Sequence, residues 1–199
     1  GLRCLALVRQ CAEQGFGGLE FLAGVPGTVG GAIRMNAGTG DGEIGDRVET
    51  VTVLLSDGTL CEFSRDTVGF GYRASRLPEG GVIVSVRLRL ARKPREQALN
   101  TIRTELDRRK ATQPVAEQNA GCMFKNPKEA VAGALIDKAG LKGRRVGGVE
   151  VSHLHANFFN NLGGATASDV LALLGEVQAA VRTRHGIALE PEIVVVPES

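Results

Sequence analysis

At the start of the chain, apolar residues recur every three or four positions between Leu2 and Ala12, and Gly15 follows as a stop signal. This period matches one face of an α-helix, which buries its apolar side and leaves its polar side in water. We therefore predict a short amphipathic helix that ends near Gln14.

Two later segments follow the two-residue period of β-strands. Apolar and polar residues alternate on both sides of the dipeptide at positions 57 and 58, Asp-Gly, which favours a tight turn, so we predict a β-hairpin between Val51 and Phe63. The segment from Val82 to Leu90 alternates most regularly. We expect every second residue from Val82 onward to face the core, and the residues between them to face solvent.

The second half of the chain mixes helices with short strands. Pro94 is placed to open a charged helix that ends near Lys110. Thr166 and Asp169 form a capping box before a longer helix that Gly186 ends. The remaining predicted elements are a loop over 119–126, a helix over 127–139, strands near 145–151 and 156–160, and a final strand over 187–196. This order of elements indicates an α+β fold.

The composition indicates a globular protein that binds a small molecule. Of the 199 residues 43% are hydrophobic, and the net charge is only +2, which gives no reason to expect nucleic acid or a membrane as a partner. No run approaches the ~20 apolar residues of a membrane-spanning helix. Four cysteines lie far apart without a C-x-x-C pair, which favours reduced thiols and a cytoplasmic location. Because the chain starts with Gly1, we interpret it as a piece of a longer protein.

A glycine-rich block over residues 23–32, A-G-V-P-G-T-V-G-G-A, is the first candidate binding segment. Small residues around a helix start let backbone N–H groups point at a phosphate, and the helix dipole favours its negative charge. The block itself contains neither a dinucleotide-binding G-x-G-x-x-G motif nor a P-loop. A packing turn without a ligand explains the same glycines about equally well.

Three single residues are further candidates for chemistry. The guanidinium of Arg73 could bind a carboxylate through two hydrogen bonds. Cys122 lies in a turn near Lys125, a cation that favours the thiolate. Glu192 lies in an otherwise apolar terminal segment, where an acid is either exposed or held in a site. Taken singly, each residue also fits an ordinary surface or packing role.

His153 and His155 could offer two metal ligands from one strand face. A metal-dependent hydrolase is therefore an alternative, but a third ligand at a convincing spacing is missing. We expect no metal site.

Seven segments together resemble the UDP-N-acetylenolpyruvoylglucosamine reductase family, the MurB flavoenzymes of peptidoglycan synthesis. They occur in order between Glu20 and Ile193, so the resemblance spans nearly the whole chain. The segments are E-F-L-A-G-V-P-G-T-V-G-G-A-I-R-M-N-A-G, G-Y-R-A-S, A-G-C-M-F-K-N-P, A-G-L-K-G, G-G-V-E-V-S-H-L-H-A-N-F-F-N-N, G-A-T-A-S-D-V and L-E-P-E-I.

The resemblance implies a fold of the vanillyl-alcohol-oxidase (PCMH) type, of which this chain would hold the second FAD-binding subdomain and a smaller α+β substrate-binding domain. The implied FAD-binding subdomain covers residues 1–106 and the substrate-binding domain covers 107–186, while the terminal strand at 187–199 returns to the FAD-binding subdomain. The short interval between Arg73 and Cys122 is similar to the type II branch of the family. The family's amino-terminal FAD subdomain has no counterpart here.

The implied activity is the reduction of UDP-N-acetylglucosamine enolpyruvate to UDP-N-acetylmuramate, with FAD as cofactor and NADPH as hydride donor. The implied partner is a UDP-sugar, and we expect a monomer. By motif, the catalytic residues are Arg73, Cys122 and Glu192, and the substrate-binding residues are Tyr72, Arg73, Lys125 and Asn126. The implied cofactor-binding residues are Gly24, Pro26, Gly27, Thr28, Gly30, Gly31, Asn36 and Gly38.

Cys122 departs from the family pattern, because many members carry serine as the proton donor at this position. A thiol is a far stronger acid than an alcohol, so proton donation remains chemically feasible. Glu192 can assist only if it carries a proton, as a donor to the developing negative charge. The alternative to the enzyme is a catalytically incomplete flavin- or nucleotide-binding fragment.

Overall fold

The structure, a computed structural model, describes residues 1–196. The chain divides into two units, one over Gly1–Arg108 and a second that begins at Arg109. The division falls inside a long helix that follows Pro94. No helix among the described residues has the length and apolar character needed to cross a membrane.

The first unit begins with the predicted amphipathic helix, whose residues Cys4, Val8 and Ala12 are buried. Short 3-10 turns cover Glu20–Leu22 and Ile44–Asp46. The helices and strands of this unit are α1 (Cys4–Glu13), β1 (Phe16–Gly17), α2 (Val29–Arg34), β2 (Gly38–Thr39), β3 (Gly42–Glu43), β4 (Val48–Leu54), β5 (Leu60–Ser64), α3 (Arg65–Val68), β6 (Val82–Leu88), β7 (Ala91–Arg92) and α4 (Arg95–Thr112), which runs past the unit's end.

An antiparallel sheet with strand order β5-β4-β6 supports the first unit. The predicted hairpin is confirmed as β4 and β5, and Val51 and Val53 of β4 are fully buried. The predicted inner face of β6 is wrong at its start, because Val82 and Val84 are 59% and 53% exposed. The β4–β6 register shifts between Thr52 and Val53, and such an irregularity changes the face to which the following side chains point.

A polar contact lies within the core of the first unit. The Glu20 carboxylate accepts hydrogen bonds from Lys93 Nζ at 2.8 Å and from the Gly18 N–H at 2.6 Å. Burial raises the pKa of Glu20, but the bonds from Lys93 and the backbone outweigh burial and leave this pKa below its usual value. The ion pair thus fixes the turn that leads into the glycine-rich block.

The second unit is a four-stranded antiparallel sheet with helices. Its strand order is β8-β11-β10-β9. The capping box of Thr166 and Asp169 is confirmed, and Gly186 ends the last helix in the left-handed conformation. The elements are β8 (Gln118–Cys122), α5 (Ala132–Lys138), β9 (Arg145–Val146), β10 (Val149–Val151), β11 (Phe158–Asn161) and α6 (Ala167–His185).

Two predictions for the second unit were wrong. The expected loop over 119–126 begins as strand β8, which pairs with β11. The expected strand over 187–196 is not formed among the described residues, where Pro191 makes only an isolated bridge to Phe124. Residues 187–196 are grouped with the second unit, and their return to the FAD-binding subdomain stays a prediction. Their backbone groups are bound there by the Met123–Lys125 segment. Residues 197–199 of that prediction lie outside the described residues.

Candidate active site

The glycine-rich block of the first unit presents an exposed turn before helix α2. Pro26, Gly27 and Thr28 are exposed, and Thr28 is the N-cap of the helix. The Thr28 side chain accepts a hydrogen bond from the Gly31 N–H at 3.3 Å, as N-cap residues do. This turn is open to a ligand on its outer side.

The glycines of this block separate into two groups. Gly27 has φ +105°, and a Cβ built on it meets no described atom within 4 Å. Gly31 is also exposed, and its Cβ would lie 3.5 Å from Thr28 Oγ1, an ordinary contact. A Cβ on Gly38 would instead lie 2.4 Å from the Gly42 carbonyl oxygen, so Gly38 is required by the β2–β3 hairpin. The exposed residues that could contact a bound cofactor are therefore the turn at 26–28 and Gly31.

The remaining predicted cofactor residues are less exposed. Gly24 is half-buried, and Gly30 faces Ile83, whose Cβ would lie 3.7 Å from an added Cβ. Asn36 is only 1% exposed. Its side-chain amide donates to Glu43 Oε2 at 2.6 Å and to the Gly71 carbonyl at 2.9 Å. Asn36 Oδ1 accepts a hydrogen bond from the Gly45 N–H at 3.0 Å, so the side chain links the segment after helix α2 to the backbones of Gly45 and Gly71.

Arg73 is held in an unusual backbone conformation. Its φ is +52°, in the left-handed region, and an isolated bridge between Gly71 and Ala74 closes the turn around it. The guanidinium donates to the Gly38 carbonyl at 3.1 Å and lies 3.9 Å from Glu43 Oε1. It also lies 5.0 Å from the ring centre of Tyr72, which is itself exposed. Glu43 thus links the Arg73 and Asn36 side chains.

In the second unit, the segment that follows Cys122 joins the terminal segment. Cys122 is a reduced, half-buried cysteine at the end of β8. The Glu192 N–H donates to the Met123 carbonyl at 2.8 Å, and the Lys125 N–H donates to the Glu190 carbonyl at 2.8 Å. The structure therefore brings the backbones of Cys122 and Glu192 together within this unit, while Arg73 belongs to the first unit.

The two predicted substrate-binding residues after Cys122 already have protein partners. Lys125 Nζ forms an ion pair with Glu190 Oε1. Asn126 Oδ1 accepts a hydrogen bond of 3.0 Å from the N–H of Ala132, the first residue of helix α5. Asn126 is exposed and Lys125 is half-buried, so a ligand could reach both.

Sequence reasoning missed Asn157, which is 2% exposed. Its Oδ1 accepts from the Phe124 N–H at 3.0 Å, and its Nδ2 donates to the Phe124 carbonyl at 2.8 Å. The only sequence signal is its position in the stretch H-A-N-F, where nothing in the spacing indicates a partner so far away in the chain.

The two histidines considered as metal ligands have other contacts. His155 Nδ1 accepts from the Asn157 N–H at 3.2 Å, and His153 Nε2 lies 3.8 Å from Glu150 Oε1. Within residues 1–196, no group of three or more histidine, cysteine or acidic side chains is placed to hold a metal ion.

Comparison with family models defines the class of both halves of the chain. Residues 1–64 match a FAD binding domain. Residues 113–196 match the C-terminal domain of UDP-N-acetylenolpyruvoylglucosamine reductase. The chain thus combines a flavin-binding class of domain with a domain specific to one reductase family.

Similarity to known proteins extends over the whole chain, which belongs to the UDP-N-acetylenolpyruvoylglucosamine reductase family. The reductase of Pelobacter propionicus is 46% identical over 198 residues, which cover 100% of this chain and 67% of the relative. That of Geobacter metallireducens is 47% identical over 191 residues, 96% of this chain and 63% of the relative. The crystal structure of the Thermus caldophilus enzyme (MurB) matches with a TM-score of 0.87 and 43% identity, covering 98% of this chain and 70% of that one.

These comparisons confirm the family and the fold class inferred from the seven segments. The chain spans about two thirds of the length of the curated relatives it matches.

Proposed function

We propose that this protein takes part in the reduction of UDP-N-acetylglucosamine enolpyruvate to UDP-N-acetylmuramate, a step of peptidoglycan precursor synthesis, as a cytoplasmic monomer. The observation that carries the proposal is the Met123–Glu192 hydrogen bond, which joins the Cys122 segment to the Glu192 segment. A proton donor and an acid held on one backbone framework suit a reaction that must stabilise and then protonate a carbanion.

We propose FAD as the cofactor, held by the exposed turn at Pro26, Gly27 and Thr28 and by Gly31. When bound, FAD supplies the hydride, and NADPH is its reductant. The backbone of the turn and the start of helix α2 would face the negatively charged diphosphate. We retain Gly24 and Gly30 as proposed FAD contacts, whereas Asn36 and Gly38 hold the neighbouring β2–β3 hairpin through the Asn36–Glu43 hydrogen bond and the close approach of Gly38 to the Gly42 carbonyl.

Cys122 acts as the proton donor in this proposal. Hydride adds to the terminal carbon of the enolpyruvyl double bond, and the displaced electron pair moves onto the neighbouring carboxylate as an enolate. When that pair returns to the adjacent carbon, it forms a C–H bond with the proton from Cys122 Sγ. The thiolate that remains is reprotonated from solvent, so the thiol is restored for the next cycle.

Arg73 and Glu192 oppose the negative charge that develops on the substrate carboxylate. A fixed guanidinium stabilises this charge without reorganising, which lowers the barrier more than mobile water could. The contacts of Arg73 with the Gly38 carbonyl and with Glu43 support this role, because they fix the guanidinium before substrate binds. Glu192 donates a hydrogen bond to the same charge in its protonated form.

Tyr72, Lys125 and Asn126 bind the UDP-sugar in this proposal. Lys125 is a cation suited to the diphosphate, and it must leave Glu190 to reach it. Asn126 keeps its Oδ1 on Ala132, so its amide group is oriented by helix α5. Tyr72 offers an exposed ring beside Arg73.

The replacement Cys122→Ala tests the proposal in the flavin-loaded protein. We expect NADPH to reduce the flavin at the normal rate, while substrate reduction falls by about 10²–10⁴-fold, the usual contribution of a general acid. Cys61→Ala is the control, since Cys61 is a half-buried thiol of the first unit. Equal loss of both half-reactions in a folded Cys122→Ala protein would refute the role of Cys122.

A second candidate is a flavin- or nucleotide-binding fragment without catalysis. It is supported by the match of residues 1–64 to a FAD binding domain, which accounts for cofactor binding without requiring a reaction. The absorbance spectrum of the purified protein separates the two: a protein that takes up FAD but never oxidises NADPH supports the fragment.

A further inference from the structure

We infer that Asn157 is a positioning residue for the donor segment, defined here as residues 122–126. The inference rests on the proposed function, because it concerns the segment that carries the proton donor. Asn157 is nearly fully buried, and its side chain forms hydrogen bonds with both backbone polar groups of Phe124. Its own carbonyl also accepts from the Met123 N–H at 2.8 Å.

This side chain continues the β-sheet where its backbone pairing stops. Strand β8 pairs with β11 up to the Cys122–Phe158 pair, and β11 begins at Phe158. Beyond that pair, the Asn157 amide offers one acceptor and one donor to Phe124, as a neighbouring strand would. The donor segment is therefore held by hydrogen bonds for two residues beyond Cys122.

The opposite edge of the donor segment is also bound. The Met123 carbonyl accepts from the Glu192 N–H, and the Lys125 N–H donates to the Glu190 carbonyl. Five successive backbone groups between Met123 N and Lys125 N are thus held, two of them by the Asn157 side chain. Substitution of Asn157 removes these two bonds, while the other three bonds join backbone atoms on both sides.

Gly121, the residue before Cys122, lies on the other side of the thiol from the bonds that Asn157 makes. Gly121 has φ +85°, and a Cβ built on it meets no described atom within 4 Å. Its N–H is held by Asn119 Oδ1 at 3.0 Å. The Cys122 backbone is therefore held by its pairing with Phe158 and, on its carboxyl side, by the bonds that Asn157 makes to Met123 and Phe124.

The test compares Asn157→Ala with Asn161→Ala in the flavin-loaded protein. Asn161 is the matched control, because its side chain also accepts a backbone hydrogen bond, from Gly163 N–H at 2.8 Å, but holds no part of the donor segment. The alkylation rate of Cys122 by iodoacetamide is followed over a range of pH by peptide mass spectrometry, with Cys61 as internal reference.

We expect Asn157→Ala to change the Cys122 rate relative to Cys61 by about fivefold or more, the factor for one lost hydrogen bond, and to lower kcat for substrate reduction more than flavin reduction. Asn161→Ala should change neither. An unchanged Cys122 rate in folded Asn157→Ala would overturn the inference. The alkylation result stands even if Cys122→Ala keeps its activity, which would refute only the proposed function.

Hydrogen exchange of the unaltered protein keeps the inference testable if Asn157→Ala does not fold. We expect the Phe124 amide, a donor to Asn157 Oδ1, to exchange as slowly as the Val151 amide inside the sheet. Exchange of the Phe124 amide as fast as that of Gly163, at the exposed end of β11, would show that Asn157 does not hold the segment.

Discussion

The backbone N–H of Glu192 donates a hydrogen bond of 2.8 Å to the carbonyl oxygen of Met123. This bond holds the backbone of Glu192, the proposed acid, beside Met123, the residue that follows the proposed thiol donor Cys122. The two segments lie far apart in the sequence. Because it involves only backbone atoms, it remains when the Glu192 side chain is changed. The chemistry of the carboxyl group can therefore be separated from the position of its segment.

Glu192→Ala should reduce substrate reduction by about 10²–10³-fold, the usual loss when one donor to a developing oxyanion is removed, whereas Glu192→Gln keeps an N–H donor and should lose less. Flavin reduction by NADPH should remain normal. Glu190→Ala is the comparison on the same segment: because Glu190 pairs with Lys125, its loss should change the KM for the UDP-sugar and leave the rate at saturating substrate unchanged. Stopped-flow absorbance of the flavin measures both half-reactions. A Glu192→Ala protein with normal substrate reduction would contradict the role of this carboxyl group.

Local signals sufficed to predict the elements whose ends or turns are determined by nearby residues. Helix α6 has its capping box and its terminal Gly186, and the β4–β5 hairpin has its Asp-Gly turn. Strand β8, Q-N-A-G-C, has no apolar alternation that would indicate a strand. It forms through its pairing with β11. The exposed start of β6 depends on a register shift that the regular alternation of its own residues conceals.

The residues of the candidate site also fall into two groups: those that short sequence motifs indicated and those that only the folded structure reveals. Arg73, Cys122 and Glu192 were named from motif segments, which carry the family's chemistry in short stretches. Asn157 was missed, because its role exists only through contact with Phe124. The buried hydrogen bonds of Asn36 were equally invisible, since a flavin-contacting residue and a supporting residue give the same sequence pattern.

Gly31→Ala should weaken FAD binding without weakening the fold. The added Cβ meets only Thr28 Oγ1, at 3.5 Å, and alanine in a helix is more stable than glycine by about 0.5–1 kcal/mol. We therefore expect an unchanged or higher Tm of the flavin-free protein and an increase of about tenfold in the Kd for FAD, which corresponds to about 1.4 kcal/mol. Fluorescence titration with FAD measures this Kd.

Gly38→Ala is the contrasting variant, because its Cβ would lie 2.4 Å from the Gly42 carbonyl oxygen. Gly38→Ala should lower both the Tm of the flavin-free protein and its affinity for FAD. If Gly31→Ala binds FAD as well as the unaltered protein does, the exposed face of this turn is not the flavin contact.

Asn36→Ala should lower the free energy of unfolding by about 3 kcal/mol, because it leaves buried partners at Gly45 and Gly71 without their hydrogen bonds. Asn36 also has φ +43°, which glycine adopts more easily than alanine. Asn36→Gly should therefore be about 1 kcal/mol more stable than Asn36→Ala. Urea unfolding measures both values. Equal stabilities of all three proteins would contradict a supporting role of this side chain.

Acid should destabilise the second unit through His155. Burial lowers the pKa of His155, and the nearby charge of Lys142 lowers it further. The neutral ring also accepts the Asn157 N–H at Nδ1, a bond that protonation of Nδ1 would break. Since the unfolded chain binds the proton more readily, this contribution to stability is fully present above about pH 6.5 and is lost as the pH falls through the lower folded-state pKa.

Urea unfolding at pH 7.5 and at pH 5 should thus show a loss of stability that His155→Gln reduces. His153→Gln is the control, because His153 is exposed, and it should keep the full loss. The protection of the Phe124 amide, which is its exchange rate relative to that of an unfolded peptide at the same pH, should fall as the pH is lowered over this interval, because Asn157 is bound by both His155 and Phe124. If the His155→Gln protein loses as much stability between these two pH values as the unaltered protein, a different group is responsible.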